Sequence, residues 1–233
     1  MAITLSGTTG ITLTTGGVIV PAGTATVAPL DFTAGTNLTT PLAGAIEYDG
    51  KVMYATPQGT QLGVIPGMQS YFLNSAYTGN TGTSDQSIFG VGVTLSSSTV
   101  YRFRSTFGMS KTVGTQSHTL ALAFGGTATL NNIAYTPISN FRTIGFTGLS
   151  APDNIAYIQT AASTVVTTAG ATSARQFIAF YEGTVSVNAG GTFIPSYTLS
   201  ASPTGAYSTA VGSYFEIWPI GASGANVSVG AWA

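Results

Sequence analysis

The chain offers few residues with which to do chemistry. Its one histidine, His118, lies in Gln116-Ser117-His118-Thr119-Leu120, and its seven carboxylates are Asp31, Glu47, Asp49, Asp85, Asp153, Glu182 and Glu216. A nucleophilic triad or a histidine-based metal site needs carboxylates from distant parts of the chain to converge on His118. Three copies of it on a trimer axis could also hold a metal. Beside serine and threonine in an expected strand, it reads instead as a histidine facing solvent or a hydroxyl partner. Glycoside hydrolysis needs two carboxyls held at a fixed separation across a cleft. Glu47 and Asp49 are neighbours in one hairpin, and Asp85 and Asp153 stand in turn-like contexts. Glu182 and Glu216 fall in expected strands, where Arg102, Arg104 or Arg175 can pair with them; a hydrolytic site would have to form between subunits. Cysteine is absent, which removes disulfides, thiolate ligands and thiol nucleophiles together. The runs Phe124-Gly125-Gly126 and Ala189-Gly190-Gly191 precede no helix-forming segment, and no Gly-Lys-Ser/Thr occurs, so they read as hairpin turns rather than phosphate loops. The expectation is a protein that is not an enzyme and that carries no cofactor and no metal.

What remains is recognition by neutral polar groups. Twelve Phe, eleven Tyr and two Trp are available, and most of the Phe belong in a core. Tyrosines in turns suit the stacking and hydrogen bonding that sugar rings require. Tyr77, Asn80, Asp85, Tyr207 and Asn226 are therefore the candidate receptor-binding residues, each in a loop-like stretch of Ser, Thr, Gly and Asn.

The elements that must position them are strands. Only 6% of the chain is charged, against about 25% in an ordinary domain, and its apolar residues are interrupted throughout by Thr, Ser and 30 Gly. Such a surface has little charge repulsion with which to hold copies apart, so the composition points to a tightly associated oligomer. The six basic residues are scattered and the net charge is −1, which argues against nucleic-acid binding. No apolar run reaches membrane-spanning length. The first residues, Met-Ala-Ile-Thr-Leu-Ser-Gly, do not resemble an export signal. A chain that looks extracellular but lacks such a signal fits a virus particle assembled in the host cytoplasm and exposed afterwards.

Period-two alternation, with turn signals about every 8–12 residues, predicts an all-β protein. Residues 1–66 read as an extended attachment or shaft segment, with short β pieces at 3–5, 11–13, 18–20 and 25–32 and a hairpin over 43–56. Asp49-Gly50 predicts a two-residue type I′ turn, with Tyr48 opposite Lys51, Ile46 opposite Met53, Glu47 opposite Val52 and Ala45 opposite Tyr54. The stretch 63–69, holding Pro66-Gly67, is the expected boundary. Residues 67–233 then read as a jelly-roll β-sandwich. Its expected strands are 70–73, 86–95, 99–109, 115–124, 127–135, 143–147, 155–159, 164–168, 176–187, 192–199 and 213–219.

Residues 33–66 carry a resemblance. The run Thr36-Asn37-Leu38-Thr39-Thr40-Pro41-Leu42-Ala43-Gly44-Ala45-Ile46-Glu47-Tyr48-Asp49-Gly50, with Tyr54-Ala55-Thr56-Pro57 and Gly59-Thr60, resembles a module common in structural proteins of tailed bacteriophages, especially tail fibres. The later segments Ser87-Ile88-Phe89-Gly90-Val91, Phe124-Gly125-Gly126-Thr127-Ala128 and Gly212-Ser213-Tyr214-Phe215-Glu216-Ile217 are similar to domains that follow that module, and the strand pattern is similar to trimeric C1q/TNF-like jelly-roll heads. The resemblance implies a virion structural protein, foremost a homotrimeric fibre that meets a host-surface glycan while residues 1–66 join other virion proteins. A capsid decoration, cement or head-fibre protein is the alternative.

Overall fold

The computed structural model describes residues 19–143, 154–171, 174–224, 226 and 228–232. The β pieces expected at 3–5 and 11–13, most of the strand expected at 143–147, and Asp153 lie outside them. Among the described residues there are sixteen strands and no helix, as the alternation requires. Residues 19–45 form no strand, although the Gly35 N–H donates to the Tyr48 carbonyl at 2.9 Å, and the piece expected at 25–32 runs as single chain with its side chains in water.

The first ordered pairing is a three-stranded antiparallel meander of β1 (Ile46–Tyr48), β2 (Met53–Ala55) and β3 (Gly63–Ile65). The hairpin at Asp49-Gly50 is present, but its register is shifted by two residues from expectation: Tyr48 opposes Met53, Glu47 opposes Tyr54 and Ile46 opposes Ala55. The side chain of Asp49 is the reason. Its Oδ1 accepts the Lys51 and Val52 backbone N–H groups at 2.8 and 2.7 Å, and its Oδ2 accepts the Tyr54 hydroxyl at 3.0 Å. Those bonds draw Lys51 and Val52 into the turn, making a four-residue loop in which Gly50 takes the left-handed φ of +89°. Burial and the Asp49 carboxylate hold the Tyr54 phenol up at about 12.

After Pro66-Gly67-Met68 come β4 (Gln69–Phe72), β5 (Tyr77–Thr78), β6 (Gln86–Ser87), β7 (Val93–Leu95), β8 (Thr99–Lys111), β9 (Leu120–Gly125) and β10 (Thr129–Thr143). They are followed by β11 (Asn154–Ile155), β12 (Thr164–Val165), β13 (Arg175–Ala189), β14 (Gly191–Leu199), β15 (Ser208–Thr209) and β16 (Tyr214–Ala222). One sheet runs β11-β10-β13-β8. Along the other side of β8 lie β16, next to residues 99–106, and β15, next to Met109 and Ser110; β4 lies beyond β16 and β5 beyond β15. The facing sheet is β12-β9-β14, with β6 and β7 both on β14. The first strand of the sandwich thus lies beside the last, as wrapping a chain around a two-sheet core demands.

Strict alternation builds the core. In β8 the side chains of Tyr101, Phe103, Phe107 and Met109 point inward while Arg102 and Arg104 point out. Phe103 lies 5.3 Å from Phe124, 6.0 Å from Phe193 and 6.0 Å from Phe215, ring centre to ring centre, so one ring ties both sheets together. Such contacts contribute about 0.5–1.5 kcal/mol per pair beyond the area they bury. Residues 86–95 are two strands rather than one. The Ser87 hydroxyl accepts the Phe89 and Gly90 N–H groups, and Gly90 turns the chain out at φ +76°.

Candidate functional site

The sandwich has two unlike ends. At 3.3 Å per residue, the 13 residues of β8 separate them by roughly 40 Å. At the Thr99 end, the Lys51 ammonium donates to the Ser97 carbonyl at 2.9 Å and the Ser223 N–H donates to the Ser98 carbonyl at 2.9 Å. The N-terminal meander and the chain after β16 both meet the sandwich here. At the Lys111 end, the Lys111 ammonium bonds the carbonyls of Val113 and Gly114, and β15 and β5 close the edge.

Three of the five expected recognition residues share one connection, from β5 to β6. Tyr77 is half-buried, its ring lying against Gly90, while Asn80 and Asp85 are exposed. Asn80 shapes the loop: its Oδ1 accepts the Gly82 N–H and its own N–H donates to Gln86 Oε1, each at 2.7 Å. Gln86 is the buried clamp beneath, donating from Nε2 to the Gly82 carbonyl and accepting the Tyr197 hydroxyl. Sequence reading passed over Gln86, and a lone glutamine in a Thr/Ser-rich stretch gives no signal of that role. Asn226 is exposed beyond β16, on the chain that leaves the opposite, Thr99 end, apart from the other candidates.

Tyr207 is a correction. Expected at a loop surface, it is 1% exposed, and only its backbone serves the loop, through a bond from the Gly79 N–H to its carbonyl. Its hydroxyl lies 2.8 Å from His118 Nε2, while His118 Nδ1 lies 2.7 Å from the Gln116 carbonyl. A carbonyl can only accept, so Nδ1 carries the proton and Nε2 accepts from the Tyr207 hydroxyl. His118 therefore faces a hydroxyl, but in the core. Burial pushes its pKa below the usual 6.5, and the nearby Lys111 and Arg175 cations push the same way. A neutral, doubly bonded imidazole walled in by Phe141 and Tyr207 has no open side from which to take a substrate proton.

Among the described residues the carboxylates do not converge. Asp49 is spent on its turn, and Glu47 Oε1 accepts the Leu38 N–H. Glu182 and Glu216 flank Arg104 on the outward face of the large sheet; Glu216 pairs with Arg104, and Glu182 lies 3.4 Å from Arg102. Glu182 borders a shallow concavity on that face and Glu216 does not, so the two do not face each other across one cleft. Among the described residues no three His, Cys, Asp or Glu groups gather as a metal site.

Two concavities lie on the sandwich. One, of about 310 Å³, opens between the sheet edges at Tyr71, Phe89, Val91 and Phe215 and is lined by no acid or base. The other, of about 400 Å³, lies on the outward face beside Tyr157, Thr136, Arg102 and Glu182. No protein-family model, curated protein or solved structure matches the chain.

Proposed function

We propose that this chain is a structural protein of a tailed-bacteriophage particle, a homotrimeric fibre that takes part in attachment to the host surface. Residues 1–66 join the particle, the loop of Tyr77, Asn80 and Asp85 faces the host, and no reaction is assigned. The observation that carries the reading is the state of the N-terminal segment. Ile19 is 94% exposed and Leu42 65%, with Val27 and Leu30 also in water. Apolar side chains that no described part of their own chain covers need a second surface, and parallel copies or a particle supply one.

The likeness of residues 33–66 to the fibre module points the same way. The two-ended sandwich adds to it, because the meander lies at one end and the Asn80 loop toward the other. Exposed amide, hydroxyl and carboxylate groups on that loop suit a polar glycan. Weak single-site binding would be raised by three copies per fibre and several fibres per particle.

A reconstruction of the whole particle tests the reading. Three-fold projections with residues 1–66 at their base support it. Copies lying flat, with the sandwich against the shell, would contradict it and assign a capsid decoration protein instead.

A further inference from the structure

The outward face of the large sheet is not the polar surface that a solvated antiparallel sheet usually presents. Register places one residue from each of six strands in a single row across it: Ile155 beside Ile138, Ile138 beside Phe180, Phe180 beside Thr106, Thr106 beside Tyr214, and Tyr214 beside Phe72. With strands about 4.8 Å apart, the row is roughly 24 Å wide. Ile155 is 64% exposed, Phe72 51%, Ile138 42% and Phe180 39%. Ile178, the next outward residue on β13, is also exposed and widens the row. Thr106 and Tyr214, half-buried and bonded to each other through their hydroxyls, separate Phe72 from the continuous apolar stretch of Ile155, Ile138, Phe180 and Ile178, and an exposed apolar stretch of this kind on a folded domain marks an interaction site.

The charges beside the row say what covers it. Glu182, Arg104 and Glu216 stand in register in the adjacent row, and Arg102 follows with its guanidinium 6.0 Å from the Trp218 ring. Two positive and two negative groups thus neutralise one another within the chain, as Arg102–Glu182 and Arg104–Glu216. An acidic or basic partner would find no opposing field to complement. A surface as neutral and as apolar as this one can cover it without stranding a charge, and another copy of the chain always carries such a surface. We infer that the outward face of the large sheet, centred on Ile138 and Phe180, is where copies of this chain pack against one another. This rests on the homo-oligomeric reading above and names the surface that reading leaves open.

The test uses the full chain and two measurements. In light scattering, the Ile138→Glu/Phe180→Glu double variant should fall from the multi-copy mass of the wild type to the 23.6 kDa of one copy. Val165→Glu, at an apolar and exposed position on the opposite sheet, should leave the mass unchanged. Since a charged pair can also unfold a strand, the second measurement introduces no charge at an already exposed position. The chain has no cysteine, so Phe180→Cys and Val165→Cys each provide a unique thiol. Phe180→Cys should react with a thiol reagent about tenfold or more slowly than Val165→Cys, because reactivity follows access. A wild type of single-copy mass overturns the oligomer and this face together. A multi-copy wild type whose Phe180→Cys thiol reacts freely overturns this face alone. Protection that occurs only in assembled particles also overturns it, because another virion protein is then the cover.

Discussion

Residues 19–65 and residues 69–222 draw on the same unusual alphabet of Thr, Ser, Gly and Ala with scattered apolar groups, yet they meet opposite fates. Every member of the hydrophobic core cluster lies between Leu73 and Ile217. The N-terminal region buries only Val52, Tyr54 and Thr56, and leaves Ile19, Val27, Leu30, Leu42 and Ile46 in solvent. Aromatic content is one difference, since eleven of the twelve Phe and nine of the eleven Tyr lie in the second region; strand length is the other. Long strands such as β8, β10 and β13 place seven or so side chains on one face, enough to interlock with a second sheet, whereas three-residue strands place one or two. Strand length decides whether a chain of this composition closes its own core or must borrow another surface.

The contrast should break first at the centre of the aromatic core. Phe103→Ala removes the ring that joins Phe124, Phe193 and Phe215, and it should cost about 3–5 kcal/mol in urea unfolding. The same truncation at Leu42, exposed in the single chain, should leave sandwich unfolding unchanged. A loss of similar size at Leu42 would show that the segment belongs to the core after all.

Next in size is Tyr207→Phe. It keeps the ring and removes only the hydroxyl that His118 Nε2 accepts from, leaving a buried acceptor unmet. The expected cost is about 1–3 kcal/mol in denaturant unfolding. A cost near zero would mean that the bond is not made in solution.

The same pair sets a pH dependence. His118 has a folded pKa below its ordinary 6.5, so the fold disfavours its protonation. The stability this contributes is complete above pH 6.5 and is lost as pH falls through the folded value, by at most about 1.4 kcal/mol per pH unit. Urea midpoints for the wild type should therefore drop between pH 7.5 and pH 5, and His118→Gln should flatten that drop. A wild-type midpoint that rises on acidification would contradict the buried, neutral imidazole.

The smallest global effect belongs to Asp49→Ala. Loss of the bonds to the Lys51 and Val52 N–H groups and to the Tyr54 hydroxyl should speed hydrogen exchange across β2, while amides of β8 and β13 exchange as before. Equal acceleration in both regions would mean that the meander and the sandwich unfold as one unit.

These residues also show where sequence reading succeeds. The strand expected at 99–109 is β8, extended by two residues, and 176–187 and 192–199 correspond to β13 and β14 with small extensions, because unbroken alternation is a local property. The hairpin at Asp49-Gly50 was legible; its register was not, since that depends on where one carboxylate spends its two oxygens. Tyr207 stands in a Gly-Ala-Tyr-Ser context that reads as a surface turn, and only His118, 89 residues away, reveals that its ring is inward. The candidate site follows the same rule. Asn80 and Asp85 were read as loop residues from neighbouring sequence alone. The apolar row through Ile138, Phe180 and Phe72 belongs to strands far apart in the chain, and no single segment displays it.

The central claim is that the sandwich closes its core within one chain, while its outward face and the N-terminal segment are covered by other copies. Sedimentation equilibrium of the full chain at micromolar concentration tests it most directly. The account predicts three copies of the 23.6 kDa chain, about 71 kDa in all, and a stable, soluble species of single-copy mass would contradict it.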